Sequence, residues 1–156
     1  MTKMTHPRLQ LFLPDDEATA LLGIRLAKAC RPGDVVALSG TLGAGKTSLA
    51  RSLIRALAGE DIETPSPTFT LVQTYETPQL SVWHTDLYRL RTEDEVRELG
   101  LEEAQEGLLL IEWPDRMGAS LPARRLEVTL EFADPGRIAR LSDHDDWSRR
   151  FDGDWR

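Results

Sequence analysis

Gly40-Thr41-Leu42-Gly43-Ala44-Gly45-Lys46-Thr47 fits the pattern Gly-x-x-x-x-Gly-Lys-Ser/Thr. Its surroundings give the pattern meaning. Val35 to Leu38 is a short apolar run that reads as a buried strand. Lys46 to Ala58 carries Leu49, Leu53, Ile54 and Leu57 at helical spacing and stops at Gly59. A strand, a glycine-rich turn and a helix in that order form a phosphate-binding loop. The glycines let the backbone fold around phosphate oxygens with its N–H groups turned inward, and the helix N-terminus adds partial positive charge. Lys46 then serves as a point charge for the β- and γ-phosphates, and the Thr47 hydroxyl as an oxygen ligand for Mg²⁺. The plainer alternative is a glycine-rich turn whose threonine only caps a helix.

A phosphate loop of this kind needs a second acid near the metal. Glu112 directly follows Leu108-Leu109-Leu110-Ile111, four apolar residues typical of a strand buried on both faces. It therefore falls at the carboxyl end of a strand, where ligands bind in open α/β sheets. Asp86 is a second candidate. It shares a strand face with His84, since side chains alternate along Leu80 to Leu87. His84 itself reads as a residue that orients a neighbour by hydrogen bonding. Between the helix and this strand, Thr64-Pro65-Ser66-Pro67-Thr68 is stiffened by two prolines and offers hydroxyls; it reads as a nucleotide-sensing loop or a plain connection. Trp113 follows Glu112 and reads as a core aromatic rather than a stacking partner. No Asn-Lys-x-Asp segment is present to read guanine, which favours ATP.

The rest of the chain suits an α/β fold. Leu9, Leu11 and Leu13 alternate as a strand, and the acidic start at Pro14-Asp15-Asp16-Glu17 opens a helix with Ala18, Leu21, Leu22, Leu26, Ala29 and Cys30 on one stripe. Thr68 to Tyr75 and Leu80 to Leu87 read as a hairpin, and Thr92 with Glu95 as a capping box. Leu126 to Phe132 can pair with Ile138 to Leu141 across Asp134-Pro135-Gly136. The expected architecture is a three-layer P-loop NTPase-like sandwich with a mixed, partly parallel central sheet. At 156 residues one domain is expected, assigned to 1–141, with 142–156 as a tail. A net charge of −7 argues against gripping nucleic acid alone. The single cysteine, Cys30, excludes an internal disulfide. The start of the chain lacks a signal-peptide pattern, and no apolar run approaches the ~20 residues of a membrane span. The expectation is a cytoplasmic protein that does not engage a membrane.

Together these segments resemble the TsaE family of small bacterial P-loop ATPases. The resemblance is carried by Leu42-Gly43-Ala44-Gly45-Lys46-Thr47, Ser66-Pro67-Thr68-Phe69-Thr70-Leu71-Val72, His84-Thr85-Asp86-Leu87-Tyr88-Arg89-Leu90, Glu98-Leu99-Gly100 and Ile111-Glu112-Trp113-Pro114. It implies an ATPase supporting threonylcarbamoyladenosine formation in tRNA. Its partner would be a TsaB–TsaD complex, through which it meets tRNA indirectly. It also implies that Gly43, Ala44, Gly45, Lys46, Thr47 and Ser48 hold phosphates, that Thr47 and Glu112 ligate Mg²⁺, and that Asp86 is needed for hydrolysis. Thr68 would belong to a switch-like loop spanning 66–70. Asp15 to Thr19 and Gly136-Arg137 are candidates for wrapping adenine. Thr41 stands where the family often has Asp, at a position that mainly contributes backbone.

Two other readings compete. A P-loop kinase would need a second substrate pocket and an arginine-rich lid, which Glu93 to Leu108 does not supply. A non-hydrolysing adaptor would use ATP only to gate binding. The 142–156 segment lies outside the resemblance and carries Trp147, Phe151 and Trp155, one face if helical. These aromatics either pack on their own domain or dock a partner.

Overall fold

The computed structural model describes residues 9–41, 43–67, 70–144 and 147–150. Seven strands run through it in chain order: β1 (Leu9–Leu13), β2 (Val35–Gly40), β3 (Val72–Glu76), β4 (Ser81–Asp86), β5 (Leu108–Glu112), β6 (Arg125–Phe132) and β7 (Arg137–His144). Four helices accompany them: α1 (Asp16–Ala29), α2 (Lys46–Ala58), α3 (Glu93–Arg97) and α4 (Trp147–Arg150), with 3-10 turns at Leu101–Glu106 and Pro114–Ser120.

The strands form one mixed sheet in the order β1-β7-β6-β2-β5-β4-β3. Four neighbours, β6, β2, β5 and β4, are mutually parallel; β7, β1 and β3 join antiparallel to their neighbours. The parallel strands are the apolar ones, as burial on both faces demands: every residue of β5 is buried. Val36, Leu38, Leu110 and Val128 point into a core shared with α1 and α2. Val35, Leu109 and Ile111 point to the opposite face, covered by Val96 of α3, Leu101 and Met117. The expected three-layer architecture is therefore present, and the parallel strands bring their carboxyl ends to one edge.

Local signals place the helix ends. Asp15 accepts a hydrogen bond from the Ala18 N–H at 2.9 Å and caps α1. Thr92 and Glu95 form the anticipated capping box of α3. Gly59 closes α2 in the left-handed conformation. Most of the α1 stripe read in the sequence faces the core, with Leu22, Leu26 and Cys30 buried and Ala18 and Ala29 packed against it; Leu21 is exposed instead, and Thr19 and Gly23 are buried beside the stripe. The reason is close packing on α2. A Cβ at Gly23 would lie 2.6 Å from Ser52 Cβ and 2.9 Å from the Leu53 nitrogen, so the absence of a side chain lets the two backbones approach. Gly23→Ala is expected to cost about 1–3 kcal/mol through overpacking, read as a lower denaturation midpoint in urea.

Strand β7 continues through 141 to His144, and α4 follows. Trp147 is 2% exposed and belongs to the core beside α1. Arg150 spreads its guanidinium over the Trp147 ring at 4.4 Å and forms a buried ion pair with Asp34, with Nη2 3.2 Å from Oδ1. Trp147 thus packs on its own domain; Phe151 and Trp155 lie outside the described residues. Asp34→Ala strands the Arg150 charge in this site and is expected to cost about 3 kcal/mol, visible in thermal melting.

Candidate functional site

The loop between β2 and α2 is built by backbone conformations that side chains resist. Gly40 leaves β2 with φ +137°, and a Cβ there would meet the Leu130 carbonyl oxygen at 2.3 Å. Gly43 and Gly45 have φ +79° and +106°, in the left-handed region open to glycine. Ala44 is buried beneath the turn, whereas Gly43 and Ser48 face outward. Gly45 is the N-cap of α2 and has no side chain with which to cap it. A cleft of about 370 Å³ opens over this turn, bounded by the loop, Asp86, Glu112, Trp113 and Arg137.

Lys46 is 5% exposed, yet its ammonium is well supplied with partners. Nζ donates to the carbonyls of Gly40 at 2.8 Å and Thr41 at 2.9 Å and sits 4.4 Å from the centroid of the Trp113 ring. Burial pushes its pKa below the ordinary lysine value, and the nearby Glu112 and Asp86 carboxylates pull it back up. Trp113 adopts φ +61° directly after β5, which turns its ring back over the loop; that ring also packs against Tyr88 at 4.8 Å. Trp113 is therefore a wall of the cleft, not a simple core aromatic.

The acids come together through strand register. Parallel pairing sets Asp86 opposite Glu112 at the ends of β4 and β5, and Leu38, two residues before the end of β2, opposite Glu112 on its other side. All three point to the face on which α2 begins. Thr47, in the first turn of α2, donates its hydroxyl to Glu112, at 2.9 Å from Oε1 and 3.1 Å from Oε2. Asp86 is 7% exposed and accepts the Tyr88 N–H at 3.0 Å through Oδ1. His84, one strand turn below Asp86, places Nε2 2.7 Å from Glu112 Oε2. The structure thus gathers Lys46, Thr47, Asp86 and Glu112 at one point. Thr68 lies outside the described residues.

These residues fit a magnesium nucleotide. The donors facing the cleft near Thr47 are a hydroxyl and carboxylates, the hard oxygens Mg²⁺ prefers; it usually completes its shell with water and substrate phosphates. Arg137 supplies a further indication. Its Nε is buried without a hydrogen-bond partner among the described residues and lies 3.2 Å from where a Cβ on Gly45 would stand. Its Nη1 meets Asp16 Oδ1 at 3.2 Å, so the two segments suspected of flanking adenine are joined beside the loop.

A model of the family described as threonylcarbamoyl adenosine biosynthesis protein TsaE matches residues 13–139. The chain belongs to the TsaE family. Among its relatives, the tRNA threonylcarbamoyladenosine biosynthesis protein TsaE of Rickettsia felis is 44% identical over 128 residues, covering 81% of this chain and 75% of the relative. The TsaE protein of Bacillus subtilis is 37% identical over 119 residues, covering 75% and 73%. The crystal structure of Bacillus subtilis YdiB superposes with a TM-score of 0.80 at 27% identity, over 96% of this chain and 94% of that one. The fold described above is thus that of a TsaE-family member.

Two residues beside this candidate site have no role in the sequence reading. Phe132, at the end of β6, is 60% exposed, and its ring tip would lie 3.7 Å from a Cβ on Gly43. Tyr88 is half-exposed and walls the cleft with Trp113. Tyr88 lies in the His84–Leu90 segment, but nothing in that segment marks it as a cleft wall, and only the pairing of β6 with β2 brings Phe132 beside the phosphate loop.

Proposed function

We propose that this TsaE-family protein hydrolyses ATP with Mg²⁺ in support of threonylcarbamoyladenosine formation on tRNA, acting with a TsaB–TsaD-like transferase complex. The observation that carries the reading is the Thr47–Glu112 hydrogen bond, which ties the first turn of the phosphate-loop helix to the end of β5. Such a bond puts a hydroxyl and a carboxylate where a metal between them and a nucleotide would need oxygen ligands.

The chain's residues divide the work. Backbone N–H groups of Gly43 to Ser48 cradle phosphate oxygens, and Lys46 leaves its carbonyl partners to neutralise charge on the γ-phosphate. Thr47 and Glu112 hold Mg²⁺, which supplies charge neutralisation to the phosphates when bound. Asp86 sits across from Glu112 and accepts a hydrogen bond from the attacking water, which orients it. Arg137 gives its Nε–H to the nucleotide beside Gly45. Trp113 and Tyr88 wall the cleft against solvent. Among the described residues no helix is long and apolar enough to cross a membrane.

The kinase and adaptor readings are separable by experiment. Phosphate released from ATP, with and without candidate acceptors, distinguishes water from another acceptor. Pull-down of a TsaB–TsaD complex with and without ATP, followed by analysis of threonylcarbamoyladenosine in tRNA, tests the partner. ATP-dependent capture with restored modification supports the reading; capture indifferent to ATP contradicts it.

A further inference from the structure

Glu112 is 2% exposed, and a carboxylate in such a place is costly unless hydrogen-bond donors surround it. Thr47 is one donor. The second is His84, itself 1% exposed, whose Nε2 lies 2.7 Å from Glu112 Oε2. A carboxylate only accepts, so the imidazole carries its proton on Nε2 and donates.

Strand geometry makes this contact. His84 pairs in register with Leu110, and Asp86 with Glu112, so His84 lies on the same sheet face as both acids and diagonal to Glu112. This diagonal is short enough for the imidazole to close it, with Nε2 2.7 Å from Oε2. A histidine at this position spans the gap, while a shorter amide stops before it. Thr47 and His84 grip Glu112 from two directions: the hydroxyl from α2 at the cleft, and the imidazole from within the sheet. The imidazole is too deeply buried to meet a ligand itself. What it can do is fix the plane of the carboxylate and keep Oε1 beside the Thr47 hydroxyl.

We propose that His84 is a positioning residue for the divalent cation, acting through Glu112. This rests on the phosphate-loop reading of the site and adds a residue to it. Outer partners that orient a metal-binding carboxylate govern how tightly the metal is held, typically by 10–100-fold. The effect belongs to metal affinity. Nucleotide binding without metal uses the loop backbone and Lys46, neither of which hydrogen-bonds His84 among the described residues.

The test exploits reach. Glutamine can place an amide N–H near the position of Nε2, whereas asparagine, of the same chemistry, cannot. Mn²⁺ binding is followed by electron paramagnetic resonance in the presence of ADP, and ADP binding in EDTA by calorimetry, for the full chain and its His84→Asn and His84→Gln variants. His84→Asn should weaken Mn²⁺ about tenfold, and His84→Gln should return it to within about threefold of the unsubstituted protein. Both should retain ADP binding in EDTA. Equal Mn²⁺ affinity in all three proteins, or a glutamine variant as weak as the asparagine one, overturns the role of His84 and leaves the phosphate loop standing. An unsubstituted protein that binds ADP neither with Mn²⁺ nor in EDTA overturns the phosphate-loop reading and this role with it.

Discussion

Lys46→Ala should lower ATP hydrolysis by at least about 100-fold, the scale expected when one donor that stabilises developing charge is removed. The ammonium is buried between the Gly40 and Thr41 carbonyls and the Trp113 ring, at the mouth of the helix that begins the phosphate site. No other lysine lines this cleft among the described residues. The substitution removes the amine but keeps the backbone of the loop, whose shape is set by Gly40, Gly43 and Gly45. The variant should therefore stay folded by circular dichroism while nucleotide affinity and turnover both fall. Hydrolysis unaltered in Lys46→Ala would remove the loop from the mechanism.

Glu112→Gln is the second large effect. It keeps the shape of the side chain and removes the charge that would face Mg²⁺. Turnover should drop by about 100-fold, and raising Mg²⁺ should recover part of it. Glu112→Ala should add a stability defect. Thr47 and His84 both donate to this carboxylate, and the buried His84 donor left without an acceptor costs about 1–3 kcal/mol. A phosphate-release assay across a Mg²⁺ series, with melting curves for both variants, separates the catalytic from the structural consequence. If both variants hydrolyse ATP like the unsubstituted protein, Glu112 is only a structural carboxylate.

The parts of the molecule that were legible in the chain are the local ones. Strand, loop and helix around Lys46 follow from glycine positions and from the spacing of Leu49, Leu53, Ile54 and Leu57, all within one contiguous segment. Glu112 is legible because four apolar residues precede an acid, a pattern that makes sense only at a strand end. The strand order is not local. The placement of β1 beside β7 and of β6 beside β2 depends on pairings between distant segments. Residues whose role comes from those pairings stayed hidden: Phe132 is an ordinary exposed aromatic until β6 carries it to Gly43. His84 was visible as a neighbour of Asp86, but its partner could not be named, since the contact to Glu112 depends on the register of β4 against β5. The α1 stripe is right except for Leu21, and it leaves out Gly23 for a related reason. Periodicity counts apolar side chains, and Gly23 is buried because it has none.

The central claim is that this phosphate loop turns over ATP as the accessory of a transferase complex. It is tested most directly by steady-state phosphate release from Mg·ATP, measured for the protein alone and with a TsaB–TsaD complex. Among the described residues no glutamine lines the cleft beside Asp86 and Glu112 to assist the water, so the protein alone should be slow. Addition of the complex should raise the rate, and Lys46→Ala should abolish the increase. Turnover near 10 s⁻¹ by the protein alone, a rate typical of self-sufficient enzymes, or a rate indifferent to the complex, would contradict the account.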